Sequence, residues 1–376
     1  MASQTDFPQE LLSQSVAARL AYFQEKVVAH PHLKEAHQRL WQAIQQPAGA
    51  SLIFVFGPTG VGKTTLRCRL EQQLWEAGQP AIEKNPGHIP VVGLEVAVAD
   101  ADSFRWRDYY KRALVALDDP LIDHKILPAH VLRERADLID SGRHKVTSEF
   151  RWALEQALRH RRPTAFIVDE AQHFKRIASG RRLLDQMDTI KSLANLTGIT
   201  HVLIGTYELL GFSQLSAQLD RRSCEIHFPR YHIDVPEEML DFKRTLLTFQ
   251  RHLPLKGEPD LIAQSEYFYE HSVGCVGVLK DWLTRALATT LEDGQEAFTK
   301  AVLEQQALPT RKLLRMAREI REGEEILTPN SRSQVELRSL LGMSTEYAEN
   351  QASHSSRKVG KRNPVRDLVG SHEQST

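Results

Sequence analysis

The sequence predicts an α/β domain built on a five-stranded parallel sheet and, after it, a small all-helical domain. Five short apolar runs, each the length of a buried strand, alternate with helix-patterned stretches across about 180 residues. From residue 236 to residue 325 the spacing is helical, with no further strand candidate. A length of 376 residues allows two such domains and additional terminal segments.

The elements follow one another in an order typical of a parallel sheet. Residues 1–46 form a polar segment with helical spacing of its apolar positions, and we expect the sheet domain to cover 47–235. Its predicted strands are 51–56, 90–98, 165–168, 199–204 and 224–228. Helices are predicted between them at 64–77, 104–117, 146–160, 181–196 and 208–219.

The second domain is predicted over 236–325, and the remainder of the chain, 326–376, as a tail. The helices of this domain are expected at 237–251, 259–271, 276–291, 296–307 and 310–322. The tail is polar and poor in apolar residues. Such a segment is expected to be disordered, because it buries too little apolar surface to offset the entropy lost on ordering.

Composition excludes several classes of protein. The 48 Lys and Arg residues balance 48 Asp and Glu residues, so the chain is not basic overall, although this sum hides local patches. The three cysteines include no CxxC pair, which argues against a disulfide framework or a zinc site. No apolar run approaches the roughly 18–20 residues that span a bilayer, and no secretory signal is recognisable. A cytoplasmic protein without a membrane partner is therefore expected.

A phosphate-binding loop is predicted directly after the first strand. The segment GPTGVGKT, residues 57–64, matches the pattern G-x-x-x-x-G-K-[ST] and lies between a strand and a helix, as that pattern requires. Its glycines allow successive N–H groups to face an anion, and Lys63 carries a positive charge for the β- and γ-phosphates. The Thr64 hydroxyl is a candidate Mg²⁺ ligand. The residues expected to bind the nucleotide are Gly57, Pro58, Thr59, Gly60, Val61, Gly62, Lys63, Thr64 and Thr65.

Two adjacent carboxylates, Asp169 and Glu170, end the third apolar run, TAFIVDE. A carboxylate at the end of a buried strand beside a phosphate loop can hold Mg²⁺ through water, and a second one can orient or deprotonate the attacking water. We assign Asp169 to the metal and Glu170 to water activation. The alternative is a pair of residues that caps the following helix.

Three further residues are weaker candidates for catalysis. Thr206 follows the fourth strand. If that strand is inserted between the other two, Thr206 could hydrogen-bond the γ-phosphate or the attacking water, although capping of the next helix is an alternative. Arg221 and Arg222 precede the last strand, where one of them could stabilise transition-state charge on a nucleotide in a neighbouring subunit. The alternative is a solvated pair, and the sequence does not choose between the two.

Together these features resemble the AAA+ class of P-loop ATPases and, within it, the TnsC/TniB family of transposition regulators from CRISPR-associated and related transposons. The resemblance covers roughly residues 50–290. It rests on GPTGVGKTTL (57–66), SFRWRDYYKRALVALDDPLI (103–122), AFIVDEAQHF (165–174), HVLIGTYELL (201–210), RRSCEIHFPRY (221–231) and FQRHLPL (249–255).

The family implies ATP and Mg²⁺ as cofactors, and ATP-dependent assembly of the chain into rings or helical filaments on double-stranded DNA. It also implies contacts with a transposase and with a target-selection protein. One feature departs from the wider class, in which many members carry a nucleotide-sensing arginine in the helical lid. Residues 274–280, GCVGVLK, contain no arginine, so slow hydrolysis is expected.

A basic segment rich in aromatic residues supplies the candidate DNA contacts, which are Arg105, Arg107, Lys111 and Arg112. Cations of this kind can follow the phosphate backbone without reading bases. The alternative is an amphipathic helix with its aromatic side chains in the core, and the family resemblance favours DNA. Further basic clusters at 311–322 and 357–366 offset an acidic stretch at 234–270.

Two other functions remain open at the level of the sequence. An ATPase resembling origin-recognition proteins or clamp loaders would use similar motifs in replication. A signalling NTPase could use the same phosphate loop as a nucleotide-switched scaffold and bind no DNA. A mobility-shift assay with random duplex DNA separates the second of these from a DNA-binding regulator.

Overall fold

Five parallel strands form one sheet in the order β2-β3-β4-β1-β5. The strands are β1 (Leu52–Phe56), β2 (Val91–Glu95), β3 (Ala165–Asp169), β4 (Thr200–Gly205) and β5 (Ser223–His227). The computed structural model describes residues 6–96, 104–126, 142–177, 181–213, 222–328 and 331–343. The predicted α/β fold with a five-stranded parallel sheet is confirmed, and a helical region follows it.

Burial on both faces explains why the central strands are continuous apolar runs. Every residue of β1 and β3 is buried, and β4 is buried from His201 to Gly205. On one face, α2 (Pro31–Gln45) and α3 (Lys63–Lys84) pack their apolar sides onto the sheet. A parallel sheet covered in this way leaves its strand ends as the places for polar functional groups.

The remaining helices fall into those that flank the strands and those that follow β5. The first set comprises α1 (Val16–Glu25), α4 (Trp106–Ala116), α5 (Gly142–Arg161), α6 (Arg181–Thr197) and the short α7 (Leu210–Ser213). The second set comprises α8 (Pro236–His252), α9 (Ser265–Ser272), α10 (Val276–Glu292), α11 (Lys300–Gln306) and α12 (Thr310–Leu327). We call the region formed by α8 to α12 the lid.

Two of the predicted helices begin with a 3₁₀ turn in the structure. The helix expected at 208–219 starts as a tight 3₁₀ turn, Tyr207–Leu209, because the chain leaves a buried strand and bonds the Leu209 N–H to the Thr206 carbonyl at 3.0 Å. It continues in α7, and residues 214–221 lie outside the described part of the chain. The helix expected at 259–271 starts with a 3₁₀ turn at Ile262–Gln264, where the Asp260 side chain accepts the Ala263 N–H at 3.1 Å.

The amino-terminal helices pack against two different parts of the molecule. Helix α2 covers the sheet, whereas α1 contributes Phe23 to the apolar core of the lid, 6.1 Å from the ring of Phe249. Polar contacts fix α1 in place, since Arg19 Nε donates to the Pro254 carbonyl at 2.9 Å and Lys280 Nζ donates to the Gln24 carbonyl at 2.6 Å. The lid core is therefore completed by a helix from the opposite end of the chain.

A second compact unit begins at Glu324, inside α12. It contains α13 (Ser331–Leu340), although the polarity of this segment predicted a disordered tail. The helix is consistent with local propensity, because residues 331–341 include neither glycine nor proline. Its Leu340 side chain is 79 % exposed. The cluster at 357–366 lies outside the described residues.

None of the helices within the described ranges combines the length and apolarity that a membrane crossing requires.

Substitution of Trp282 tests whether the lid core is packed as described. Its side chain is fully buried and Nε1 donates to the Leu303 carbonyl at 2.9 Å. Trp282→Ala should lower the free energy of unfolding by about 3–5 kcal/mol, because it leaves a cavity in the lid core and removes the hydrogen bond from Nε1. Urea denaturation followed by circular dichroism measures this loss. Trp75, which is 49 % exposed, is the matched control, and Trp75→Ala should change stability by less than about 0.5 kcal/mol. Equal effects at the two sites would contradict the assigned core.

Candidate active site

The loop between β1 and α3 has the backbone shape of an anion-binding loop. Gly60 and Gly62 adopt φ angles of 78° and 112°, a region that other residues enter at a cost. Gly62 immediately precedes Lys63, the first residue of α3, so the amino terminus of that helix opens onto the loop. Unpaired N–H groups at such a terminus attract phosphate oxygens.

Lys63 is turned into this loop. This residue is only 7 % exposed, and its Nζ donates to the carbonyls of Gly57 at 3.0 Å and Pro58 at 2.8 Å. Burial lowers the pKa of Lys63, and the negative charge of Glu170 is the largest of the effects that oppose this shift. A cation kept in a partly dry loop interacts strongly with any anion that enters it.

Asp169 lies next to the loop at the end of β3. Its carboxylate is almost completely buried, and Oδ2 accepts the Thr64 hydroxyl at 3.4 Å and lies 3.6 Å from Arg67 NH1. The other oxygen, Oδ1, accepts the N–H of Glu170 at 2.9 Å. The hydroxyl and the carboxylate that are expected to ligate Mg²⁺ thus lie next to each other.

Glu170 has a constrained backbone and a tethered side chain. Its φ of 53° is in the left-handed region, which is uncommon for a residue with a β-carbon. The carboxylate Oε2 accepts Nε2 of Gln172 at 2.5 Å and lies 3.9 Å from Nε2 of His173. Backbone conformations of this kind cluster at functional sites.

Thr206 lies at the tip of β4, which runs between β3 and β1 as expected. Its backbone N–H donates to Oε1 of Gln172 at 3.3 Å. Its hydroxyl makes no capping hydrogen bond to the turn that follows, which argues against the capping alternative. Thr206 Oγ1 is buried and has no partner among the described residues, so it is a polar group to which a ligand oxygen or a water would be complementary.

The beginning of α10 in the lid lies directly on the phosphate loop. The Val278 N–H donates to the Gly60 carbonyl at 3.2 Å, and a β-carbon on Gly277 would lie 2.5 Å from that same oxygen. Residues 274–280, which lack the arginine common in the wider class, therefore contact the loop through backbone atoms. Apart from the glycine at 277, no feature of the sequence predicts this contact.

A buried histidine and two aromatic residues adjoin the loop on another side. Sequence reasoning did not single out these three, although His30 is followed by a proline at the first position of α2. The rings of His30 and Phe228 stack at 6.1 Å, and Phe228 would lie 3.8 Å from a β-carbon on Gly62. A hydrogen bond of 3.1 Å joins His30 Nδ1 to the Tyr231 hydroxyl, and burial lowers the pKa of His30 to about 3.

The two arginine candidates are not part of this site within one chain. Arg222 precedes β5 at the amino end of the sheet, and β5 pairs in register with β1 from Leu52↔Ser223 to Phe56↔His227. The five-residue length of the strand, about 16 Å, therefore separates Arg222 from the edge that carries the loop. Arg222 is exposed, and Arg221 lies outside the described residues.

The basic segment near residue 105 proves to be an amphipathic helix with its aromatic side chains inside. Phe104, Tyr109 and Tyr110 are buried, and the rings of Phe104 and Tyr109 pack edge-on against Phe174. The three arginines of the segment are exposed, whereas Lys111 forms an ion pair with Asp123. The exposed arginines can contact the phosphates of a nucleic acid, but the buried aromatic rings cannot stack against its bases or sugars.

A Mg²⁺ ion bound with a nucleotide needs few protein ligands, because it keeps several waters and uses phosphate oxygens. Thr64 and Asp169 provide such a partial set. In the described ranges no group of three or more His, Cys, Asp or Glu residues could hold a metal without a nucleotide. The donor set therefore fits Mg²⁺ accompanied by phosphates.

Comparison with known proteins supports the same architecture. Residues 45–212 match the sequence family described as AAA domain. The ORC1 protein of Aeropyrum pernix in complex with DNA is similar in structure, with a TM-score of 0.50, 15 % identity, and coverage of 91 % of this chain and 83 % of that one. The ORC2 protein of the same organism in its ADP form gives a TM-score of 0.49 at 13 % identity, over 89 % and 83 % of the two chains. No curated protein matches the sequence. Residues 45–212 thus match an AAA domain in sequence, and the fold of the chain is AAA+.

The buried His30 predicts how stability depends on pH. The folded-state pKa of about 3 is below the unfolded value of 6.5, so the unfolded chain takes up the proton first. Stability from this group is present above pH 6.5 and is lost as the pH falls towards 3, by up to about 1.4 kcal/mol per pH unit. Buried His201, with a pKa of about 4, acts in the same direction.

Urea unfolding at pH 7.5, 6 and 5 measures this slope. His30→Gln retains a hydrogen-bonding side chain that does not titrate, so it should flatten the loss of stability between pH 6.5 and 5 without abolishing it. His124 is exposed, and His124→Gln should leave the wild-type slope. An unchanged slope in His30→Gln would contradict the neutral, buried state of this ring.

Proposed function

We propose that this protein binds and hydrolyses ATP, and that it uses the nucleotide to control its assembly on double-stranded DNA. The observation that carries the ATPase proposal is the convergence of Lys63, Asp169, Glu170 and Thr206 at one edge of the sheet. Three separate parts of the sequence supply an anion loop, a metal ligand with a carboxylate for water beside it, and a hydroxyl without a partner among the described residues. This is the set of groups that phosphoryl transfer to water requires.

Each group has a distinct role in the proposed reaction. Lys63 exchanges its loop carbonyls for the β- and γ-phosphates, and loop N–H groups hold the remaining oxygens. Thr64 and Asp169 would hold Mg²⁺, which neutralises charge that develops on the phosphates. Glu170 orients the attacking water and accepts its proton, and the Thr206 hydroxyl hydrogen-bonds the γ-phosphate or that water.

The position of Arg222 supports assembly as part of the mechanism. An arginine at the amino end of the sheet cannot serve the loop of its own chain, but it is free to approach the nucleotide of an adjacent subunit. We propose that Arg222 or Arg221 supplies positive charge in this way. ATP then acts as the signal for assembly and hydrolysis as the signal for release.

DNA is the proposed partner for the exposed arginines of α4 and the residue before it. Arg105, Arg107 and Arg112 are exposed along one short segment, a distribution that suits phosphate contacts. The resemblance to the TnsC/TniB family supports a role for such binding in transposition, with a transposase and a target-selection protein as the proposed further partners. A slow rate of hydrolysis, expected because residues 274–280 contain no arginine to sense the nucleotide, would agree with a regulatory role.

A replication-initiator function is the second candidate, favoured by the similarity to the Aeropyrum pernix ORC1 protein in complex with DNA. Negative-stain microscopy distinguishes the two. Continuous filaments that need both ATP and random duplex DNA support the transposition regulator. Discrete complexes that form on particular duplex sequences support the initiator.

Substitutions in the phosphate site test the ATPase proposal. Lys63→Ala should abolish binding of a fluorescent ATP analogue and ATP-dependent assembly, because the charge for the phosphates is removed. Glu170→Gln should retain binding, lower hydrolysis by about 10²–10⁴-fold and trap the assembled state. Lys84, exposed in the last turn of α3, is the matched control, and Lys84→Ala should behave as wild type. Rapid turnover by Glu170→Gln, or normal assembly by Lys63→Ala, would overturn the mechanism.

The salt dependence of DNA binding tests the arginine surface. Replacing Arg105, Arg107 and Arg112 by alanine should weaken binding to all duplex sequences alike. It should also reduce the slope of log affinity against log salt by about one per phosphate contact removed. Lys111→Ala should have a smaller effect, because Asp123 already pairs with this amine.

Arg244→Ala together with Lys300→Ala, at exposed positions of the lid, is the control for a general loss of charge. Fluorescence anisotropy between 50 and 200 mM salt measures both quantities. A slope unchanged by the triple substitution would remove these arginines from the DNA surface.

A further inference from the structure

Gln172 is a buried residue for which the reaction described above has no role. It lies in the 3₁₀ helix Ala171–Ile177 that follows β3, and its side chain is 7 % exposed. The carboxamide Nε2 donates to Glu170 Oε2 at 2.5 Å, and Oε1 accepts the N–H of Thr206 at 3.3 Å. One side chain thus joins the carboxylate after β3 to the backbone after β4.

The strand tip has room for this carboxamide because residue 205 is glycine. A β-carbon on Gly205 would lie 2.3 Å from Gln172 Oε1, well inside van der Waals contact. A buried amide that lost its partners would also have to bear the cost of desolvation. Packing and hydrogen bonding therefore hold Gln172 in this orientation from both sides.

The contact at Glu170 selects between the two oxygens of its carboxylate. Gln172 Nε2 occupies Oε2, and the N–H of Glu170 itself is bonded to Asp169. Oε1 of Glu170 takes part in none of these contacts, which leaves it as the candidate oxygen for a water. Because Oε1 of Gln172 accepts the Thr206 N–H, the same side chain connects this carboxylate to the strand tip.

We propose that Gln172 is a positioning residue that sets the orientation of the Glu170 carboxylate and couples it to the strand tip bearing Thr206. This inference rests on the proposed ATP hydrolysis and deepens it. In this proposal, the orientation of Glu170, which accepts the proton of the attacking water, depends on the position of the strand tip that contacts the γ-phosphate through Thr206. Gln172 does not touch substrate, so its effect on hydrolysis passes through Glu170.

Gln250 provides a matched control within the same chain. It is also a buried glutamine, 9 % exposed, whose Nε2 donates to Glu258 Oε1 at 3.1 Å and whose Oε1 accepts the Leu261 N–H at 2.9 Å. The two bridges have the same chemistry, but that of Gln250 lies within the lid. A purely structural role predicts that both bridges contribute to stability alone.

The test compares Gln172→Ala, Gln172→Met and Gln250→Ala in steady-state ATP hydrolysis and in binding of a fluorescent ATP analogue. Methionine retains most of the volume of glutamine without its hydrogen bonds, so it controls for folding. We expect both substitutions at 172 to lower kcat by about 10–100-fold, with KM and nucleotide affinity within about twofold of wild type. Gln250→Ala should leave kcat unchanged. Gln172→Ala added to Glu170→Gln should not lower the residual rate further, because it acts through that side chain.

Hydrogen exchange supplies a readout that does not depend on hydrolysis. Loss of the acceptor in Gln172→Met should speed exchange of the Thr206 amide, whereas Gln250→Ala should leave it as in wild type. Three results would overturn the inference while hydrolysis by the wild type stands. The first is a kcat within twofold of wild type in both variants at 172, and the second is a fall in kcat matched by a rise in KM. The third is an additive effect of Gln172→Ala with Glu170→Gln. Absence of hydrolysis by the wild type would instead overturn the proposed function, and this coupling with it.

Discussion

Strand β4 runs between β1 and β3, and the position of every polar group in the site follows from that insertion. Because parallel strands end at the same edge, the phosphate loop, Asp169 and Thr206 meet there without any long-range loop. The insertion also sets the spacing that Gln172 spans, from the turn after β3 to the tip of β4. Since the central strands are buried on both faces, the strand ends are where charged groups can be kept at low energetic cost.

The lid depends on this edge as well. Its helix α10 begins against the phosphate loop, and its core takes in Phe23 from α1, which precedes the sheet in the chain. The loop therefore has the sheet below it and the lid beside it, with His30 and Phe228 on a further side. A ligand that reshapes the loop acts on all of these elements at once, which suits a protein whose nucleotide state is proposed to control assembly.

The features predicted correctly from the sequence are those with a local signal. Strands β1, β3 and β4 are short apolar runs, and the phosphate loop and Asp169–Glu170 occupy fixed positions relative to them. The role of Gln172 could not be predicted, because its partners come from two strands that only the sheet order brings together. The same holds for Val278, whose contact with Gly60 is made by a backbone N–H that every residue except proline carries. In the segment around Arg105, helical spacing alone could not say which side faces the core, and the structure places the aromatic rings there.

The contact between α10 and the phosphate loop constrains the sequence differently from a contact made by an arginine. Position 278 supplies both an N–H to the loop and a buried side chain that belongs to a small apolar cluster with Cys275 and Ile320, whereas a β-carbon at 277 would collide with the Gly60 carbonyl. Close backbone contact with the loop therefore positions this end of the lid. An interaction with the charge of the nucleotide would need a separate side chain, and residues 274–280 contain no arginine for it. Docking of the lid and sensing of the nucleotide therefore depend on different groups, and docking requires a residue without a β-carbon at 277 whatever side chains sensing would use.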